Sequence, residues 1–192
     1  MIIYVNGSTH VSAAEATNPY IFASDDPVLA WMGHLPHPDN VSVSWGKLLS
    51  LALRAGLHCA VTSNNDNLQI INETKQWLEN GRNQNELIII MWNDWIDEKL
   101  EHDSIYLFHQ QLKNTNKPHL FLNSNTCFST NLAPYDWGVN FLQAYNPKMT
   151  FSNLIKDNKM YTVSPNSRHF GKDAHSFFNR YVLQYIITNK LI

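Results

Sequence analysis

The chain has 192 residues, 44% of them apolar, which is enough for one folded domain spanning residues 1–192. Its 14 basic and 16 acidic residues leave a net charge of −2 without a run of like charges, so we do not expect a nucleic-acid partner. The longest apolar stretches are too short to cross a bilayer, and Met1 leads straight into a strand-like run. We therefore expect a cytoplasmic protein without a membrane partner.

The first part of the chain predicts a strand, an irregular excursion and a helix. Ile2–Val5 is a β-branched and aromatic run that stops at the turn-forming pair Asn6-Gly7. Residues from about 13 to 43 carry four prolines and little periodicity, which indicates a long irregular excursion. Ser44 can then cap a helix that Gly56 ends.

The rest of the chain alternates strands with helices. The predicted elements are a strand at His58–Val61, a helix that ends at Gly81, a strand at Glu86–Met91, a helix at Ser104–Asn116, a strand at His119–Asn123, and helices at Met149–Lys156 and Ala174–Thr188. Such alternation favours a three-layer α/β/α sandwich with an open, mainly parallel sheet. Ligands of such sheets bind at the carboxyl ends of the strands, which predicts a site among residues 6–10, 62–67, 92–95 and 123–129.

Small polar side chains and histidines crowd three segments near this edge. They are Asn6-Gly7-Ser8-Thr9-His10, Trp92-Asn93-Asp94 and Asn166-Ser167-Arg168-His169. A hydroxyl, an imidazole and an amide brought together are the groups that acyl transfer needs, because the hydroxyl attacks, the imidazole removes its proton and the amide stabilises the oxyanion.

These motifs resemble those of the SGNH, or GDSL-type, hydrolase superfamily, and more narrowly small SGNH-like proteins encoded by bacteriophages. Those proteins begin with a strand and an Asn-Gly-(Asp or Cys)-Ser-(His or Phe)-Thr turn, and they carry Asp-x-x-His before the final helix. The resemblance implies a flavodoxin-like or SGNH-like fold without a cofactor, located in the host cytoplasm if the chain is phage-encoded.

The resemblance also implies roles for individual residues. Thr9 stands where the family has its nucleophilic serine, although Ser8 is a second candidate for the attack. His169 corresponds to the base and Asn166 to the aspartate that orients it. In the oxyanion hole, Asn93 corresponds to the family's asparagine, and Asn67 occupies the region where the family has a glycine.

Several of the family's catalytic features are altered, which leaves two functions open. One is a serine-type hydrolase of an acyl or acetyl ester on a small molecule or glycan. The other is a catalytically inactive SGNH-fold protein that binds a small molecule, a glycan or a protein partner. Asp94 could orient His169 in place of Asn166. The competing interpretations are structural, with Ser8 and Thr9 capping the next helix, Asn93 and Asp94 capping one near Trp95, and His169 lying at the surface.

The sequence predicts neither a disulfide framework nor a metal site. Cys59 and Cys127 lie in separate segments without CxxC spacing. His34 and His37 have a spacing that a metal could use, but Pro36 breaks any helix that would present both imidazoles on one face.

Overall fold

The computed structural model describes residues 1–13, 16, 38–61, 66–80, 85–163 and 169–192. The strands are β1 (Ile2–Gly7), β2 (Gly56–Cys59), β3 (Glu86–Trp92) and β4 (His119–Asn123). The helices are α1 (Pro38–Ser42), α2 (Trp45–Ala52), α3 (Asn67–Glu79), α4 (Glu98–Asn114), α5 (Phe151–Asp157) and α6 (Lys172–Thr188), with 3-10 turns at Thr9–Ser12 and Pro147–Met149. No described helix is long and apolar enough to span a membrane.

The four strands form one parallel sheet in the order β2-β1-β3-β4. The chain passes from β1 outward to β2 and then returns to the other side of β1 to form β3. The strand order therefore reverses between β1 and β3, and the crevice at their carboxyl ends is where open α/β sheets bind ligands.

Helices cover both faces of the sheet, as the fold prediction required. The first face packs Val5, Ile89 and other alternate strand residues against side chains of α2, α5 and α6. The opposite face packs Ile88, Ile90 and their neighbours against α3 and α4. Since β3 is buried on both faces, all seven of its residues are buried. The predicted three-layer α/β/α architecture with a parallel sheet is confirmed.

Some predicted boundaries were wrong. Helix α4 begins at Glu98 instead of Ser104, because Asp97 accepts a hydrogen bond from the Leu100 N–H and caps it six residues earlier. Gly56 does not end α2 but begins β2, which pairs with β1 at Ile2.

Three other predictions concern residues outside the described ranges. Most of the predicted irregular excursion, at 14–15 and 17–37, lies outside them, and so do residues 62–65 of the predicted site and Gly81, the expected end of a helix.

Candidate active site

The site lies where β1, β3 and β4 end. Ser8 and Thr9 follow β1, Asn93 follows β3, and Ser124 follows β4, so the parallel arrangement brings these residues to one edge of the sheet. A close backbone contact fixes the exit from β1, because the Ser8 N–H donates to the Met91 carbonyl oxygen at 3.4 Å. The segment that carries both hydroxyl groups is thereby held beside the end of β3.

Thr9 and His169 form a direct hydrogen bond. The distance between Thr9 Oγ1 and His169 Nε2 is 2.8 Å, although the two residues are 160 positions apart. His169 is buried, whereas Thr9 is half-buried. The backbone carbonyl of His169 accepts a hydrogen bond from the Val163 N–H at 2.9 Å, which anchors the histidine just before α6. This geometry lets an imidazole take a proton from a hydroxyl group.

Ser8 has a different partner. Its Oγ lies 3.2 Å from Ser124 Oγ, and the residue is only 6% exposed. Its side chain does not cap the 3-10 turn that starts at Thr9, so the capping interpretation was wrong for Ser8. The structure therefore brings Thr9, not Ser8, together with His169.

The side-chain amide nitrogen of Asn93 is buried and has no hydrogen-bond partner among the described residues. The residue is 2% exposed, and its Nδ2 makes no hydrogen bond within the part of the chain that the structure describes. A buried donor without an acceptor costs free energy, and a catalytic role is one of the recognised explanations for such a group in a native structure. Asn93 does not cap a helix near Trp95, as the competing interpretation required, because α4 begins at Glu98 and has Asp97 as its cap.

Asn67 does not serve as a free oxyanion donor, which corrects its predicted role. Its Oδ1 accepts from the Asn93 N–H at 2.8 Å, and its Nδ2 donates to Glu101 Oε2 at 2.5 Å. Asn67 is fully buried, so both ends of its amide are committed to protein partners.

Glu101 was missed by sequence reasoning. It lies within α4, where a glutamate normally faces solvent, but it is only 3% exposed and receives three hydrogen bonds. The available sequence signal was a carboxylate in the first turns of a helix, a pattern that also occurs on solvated helices.

Asp94 does not orient His169, which corrects the predicted alternative. Its carboxylate accepts hydrogen bonds from Asn125 Nδ2 at 3.4 Å and Thr126 Oγ1 at 3.2 Å. Asp94 therefore ties the loop after β3 to the loop after β4. Asn166, the other predicted orienter, lies outside the described residues, as do His34 and His37.

Two further histidines, His10 and His175, lie near His169. The ring centroids of His10 and His169 are 5.5 Å apart, and His175 lies on the first turn of α6. Burial, reinforced by the nearby His169, lowers the pKa of both His10 and His175 to about 3. Both rings are therefore neutral at physiological pH, so they add no positive charge beside His169.

The cysteines and acidic residues do not form a second reactive centre in the described ranges. Cys59 and Cys127 are free thiols, and burial raises the pKa of Cys59 to about 12, which keeps it protonated. Within those ranges no group of three or more His, Cys, Asp or Glu side chains could hold a metal ion.

No protein-family model matches the chain, and a search of curated proteins finds no significant match.

Proposed function

We propose that the chain is an SGNH-like ester hydrolase that removes an acyl or acetyl group from a small molecule or a glycan. Thr9 is its nucleophile and His169 its general base. The observation that carries this proposal is the 2.8 Å hydrogen bond between Thr9 Oγ1 and His169 Nε2 at the carboxyl edge of a parallel sheet.

The reaction has two stages. In the first, His169 removes the Thr9 proton while Oγ1 attacks the ester carbonyl carbon, and the bond to the leaving alcohol breaks as His169 returns the proton to it. In the second, His169 removes a proton from water while the water oxygen attacks the acyl-threonine, and the bond to Thr9 Oγ1 breaks as His169 returns the proton to it, which releases the acid and regenerates Thr9. No cofactor takes part in either stage.

Asn93 is the oxyanion donor in this proposal. Its Nδ2 is buried and makes no hydrogen bond among the described residues, so it can donate to the negative oxygen that develops during attack. Asn93 follows β3 and Thr9 follows β1, and these two strands are neighbours in the sheet. The proposal thus assigns the donor and the nucleophile to adjacent strand ends.

Fluorophosphonate labelling tests the nucleophile. We expect wild-type protein to form a covalent adduct that mass spectrometry maps to Thr9, Thr9→Val to form none, and His169→Ala to react much more slowly. Thr115→Val is the matched control, because Thr115 directly follows α4 and its hydroxyl group donates to carbonyl oxygens of that helix.

Ser8→Ala tests which of the two hydroxyl groups, Ser8 or Thr9, is the nucleophile. We expect it to keep the adduct at Thr9, since Ser8 Oγ contacts Ser124 Oγ. An adduct that disappears in Ser8→Ala but persists in Thr9→Val would assign the attack to Ser8. A folded wild-type protein that neither labels nor hydrolyses p-nitrophenyl acetate would overturn the proposed activity.

A further inference from the structure

The backbone of Asn93 is held at two points by one side chain. Asn67 Oδ1 accepts from the Asn93 N–H at 2.8 Å, and Asn67 Nδ2 lies 3.4 Å from the Asn93 carbonyl oxygen. Asn67 begins α3 and Asn93 follows β3, so this contact joins two elements at the active edge of the sheet. Both residues are buried, which limits competition from water for these bonds.

Glu101 in turn holds Asn67. Its Oε2 accepts from Asn67 Nδ2 at 2.5 Å, while its Oε1 accepts from the backbone N–H groups of Ile96 at 2.7 Å and Asp97 at 3.0 Å. These two amides belong to the loop between Asn93 and α4. One carboxylate therefore fixes both the side chain that holds Asn93 and the loop that follows it.

The chemistry of Glu101 decides which way the Asn67 amide points. An asparagine amide has a donor end and an acceptor end of nearly the same shape, so a flip would exchange them. A carboxylate only accepts, so it selects the orientation that directs Nδ2 toward Glu101. That orientation leaves Oδ1 facing the Asn93 N–H, the geometry found here.

We infer that Asn67 and Glu101 are positioning residues that orient Asn93 for oxyanion stabilisation. This inference rests on the proposed hydrolase function. Both residues act through the backbone of Asn93 and not on the reacting atoms. Oxyanion donors must be placed before the reaction starts, so a rigid support contributes directly to the rate.

The isosteric substitution Glu101→Gln tests whether Glu101 holds Asn67 in place, and it leaves no cavity. The new amide oxygen can still accept from Ile96 and Asp97, but the new amide nitrogen then faces Asn67 Nδ2, and two donors oppose each other. We expect kcat for p-nitrophenyl acetate to fall on the order of 10- to 100-fold with little change in KM, since a displaced donor weakens the transition state more than the bound substrate.

The double substitution Asn67→Asp with Glu101→Gln restores the hydrogen bond between positions 67 and 101. It also moves the negative charge from position 101 to position 67. The introduced amide nitrogen at position 101 then donates to one oxygen of the introduced carboxylate at position 67, whose other oxygen accepts from the Asn93 N–H. Only the long 3.4 Å contact with the Asn93 carbonyl oxygen is not restored. We expect kcat to recover to within about tenfold of wild type, whereas Asn67→Asp alone places two carboxylates together and stays impaired.

Glu98→Gln is the matched control. Glu98 lies in the first turn of the same helix and accepts a hydrogen bond from the Ser129 N–H, and among the described residues no hydrogen bond joins it to Asn67 or Asn93. We expect its kcat to stay within a factor of about two of wild type. Thermal unfolding of every variant establishes that the compared proteins are folded.

A second readout does not depend on activity. Hydrogen exchange followed by NMR should show a protected Asn93 backbone amide in the wild type, faster exchange in Glu101→Gln, and renewed protection in the double variant. Unchanged exchange at Asn93 in folded Glu101→Gln would overturn the inference, and so would an unchanged kcat. If the wild type does not hydrolyse the ester at all, the proposed function fails, and the exchange data alone decide whether Glu101 and Asn67 hold Asn93.

Discussion

Gly7 and Met91 approach so closely that a side chain at Gly7 cannot fit. A Cβ atom on Gly7 would lie 2.1 Å from the Met91 carbonyl oxygen, and Gly7 has a φ of +146°, which L side chains rarely adopt. The contact lies one residue before Ser8 and two before Thr9. The glycine of the first motif therefore allows β1 to end against β3 with the hydroxyl groups at the sheet edge.

Gly7→Ala is expected to destabilise the fold by about 3 kcal/mol or more, because backbone strain and a steric clash act together. Urea unfolding measures this loss. Gly56→Ala is the control, since its Cβ would meet only Ile2 Cγ1 at an ordinary 3.6 Å. Equal stability of the Gly7→Ala and Gly56→Ala proteins would contradict the close approach.

Under the proposed mechanism, Thr9→Ser is expected to accelerate ester hydrolysis about threefold to tenfold. Serine keeps the hydroxyl group that bonds His169 but lacks the methyl group that restricts χ1 and crowds the attack. Lowering the activation free energy by about 1 kcal/mol raises a rate by this factor. The measurement is kcat/KM for p-nitrophenyl acetate. A lower kcat/KM in Thr9→Ser than in wild type would contradict this expectation.

Asn93→Ala is expected to lower kcat strongly while changing the free energy of unfolding only slightly. Under the proposed mechanism, removing the Asn93 oxyanion donor lowers kcat about 100- to 1000-fold. The stability should change by about 1 kcal/mol or less, because the deleted Nδ2 is buried without a described partner and the Asn93 backbone keeps its bond to Asn67. The test combines kcat with urea unfolding, and a large loss of stability with unchanged kcat would contradict it.

Acid is expected to unfold the protein through its buried histidines. His109 Nδ1 lies 2.8 Å from His119 Nε2, and burial lowers the pKa of each to about 4, with Lys113 acting in the same direction and Asp136 opposing it at His109. A lowered folded-state pKa means that the unfolded chain binds protons more readily. The stability these groups contribute is complete above a pH of about 6.5 and is lost as the pH falls toward about 4.

The measurement for this pair is urea unfolding from neutral pH down to the folded-state pKa of about 4. Each histidine contributes a slope of at most about 1.4 kcal/mol per pH unit, so His109→Phe should unfold with a shallower pH dependence than wild type. His10 and His175, whose pKa values are lowered further, continue the effect at lower pH. A stability that is constant across this range would contradict the expectation.

The sequence was most informative where hydrophobic pattern decides the structure. The apolar run of β3 predicted a central strand buried on both faces, and the alternation of elements predicted the parallel sheet. The start of α4 was missed because its first turn is polar and Leu100 is exposed, so no apolar face marks it. Hydrophobic periodicity reveals only apolar burial, and the buried residue of this first turn is the polar Glu101.

The sequence predicted where the residues of the candidate site lie, but not which hydrogen bonds they form. The ends of the strands led to Thr9 and Asn93 because topology fixes where strands end, and the motif before the final helix led to His169. The sequence could not show that Ser8 bonds Ser124, nor that Glu101 is buried against Asn67. Those contacts depend on side-chain directions across several elements, which no short motif encodes.

The order of the strands also shapes how the chain folds during synthesis. β1 is made first but lies inside the sheet, and its two neighbours begin only at Gly56 and Glu86. The backbone N–H and C=O groups of β1 therefore have no strand partner until β2 is made on one side and β3 on the other, which favours late pairing of distant segments over early local folding. Because His169 comes later still, the emerging chain carries Thr9 long before the histidine that forms a hydrogen bond with it.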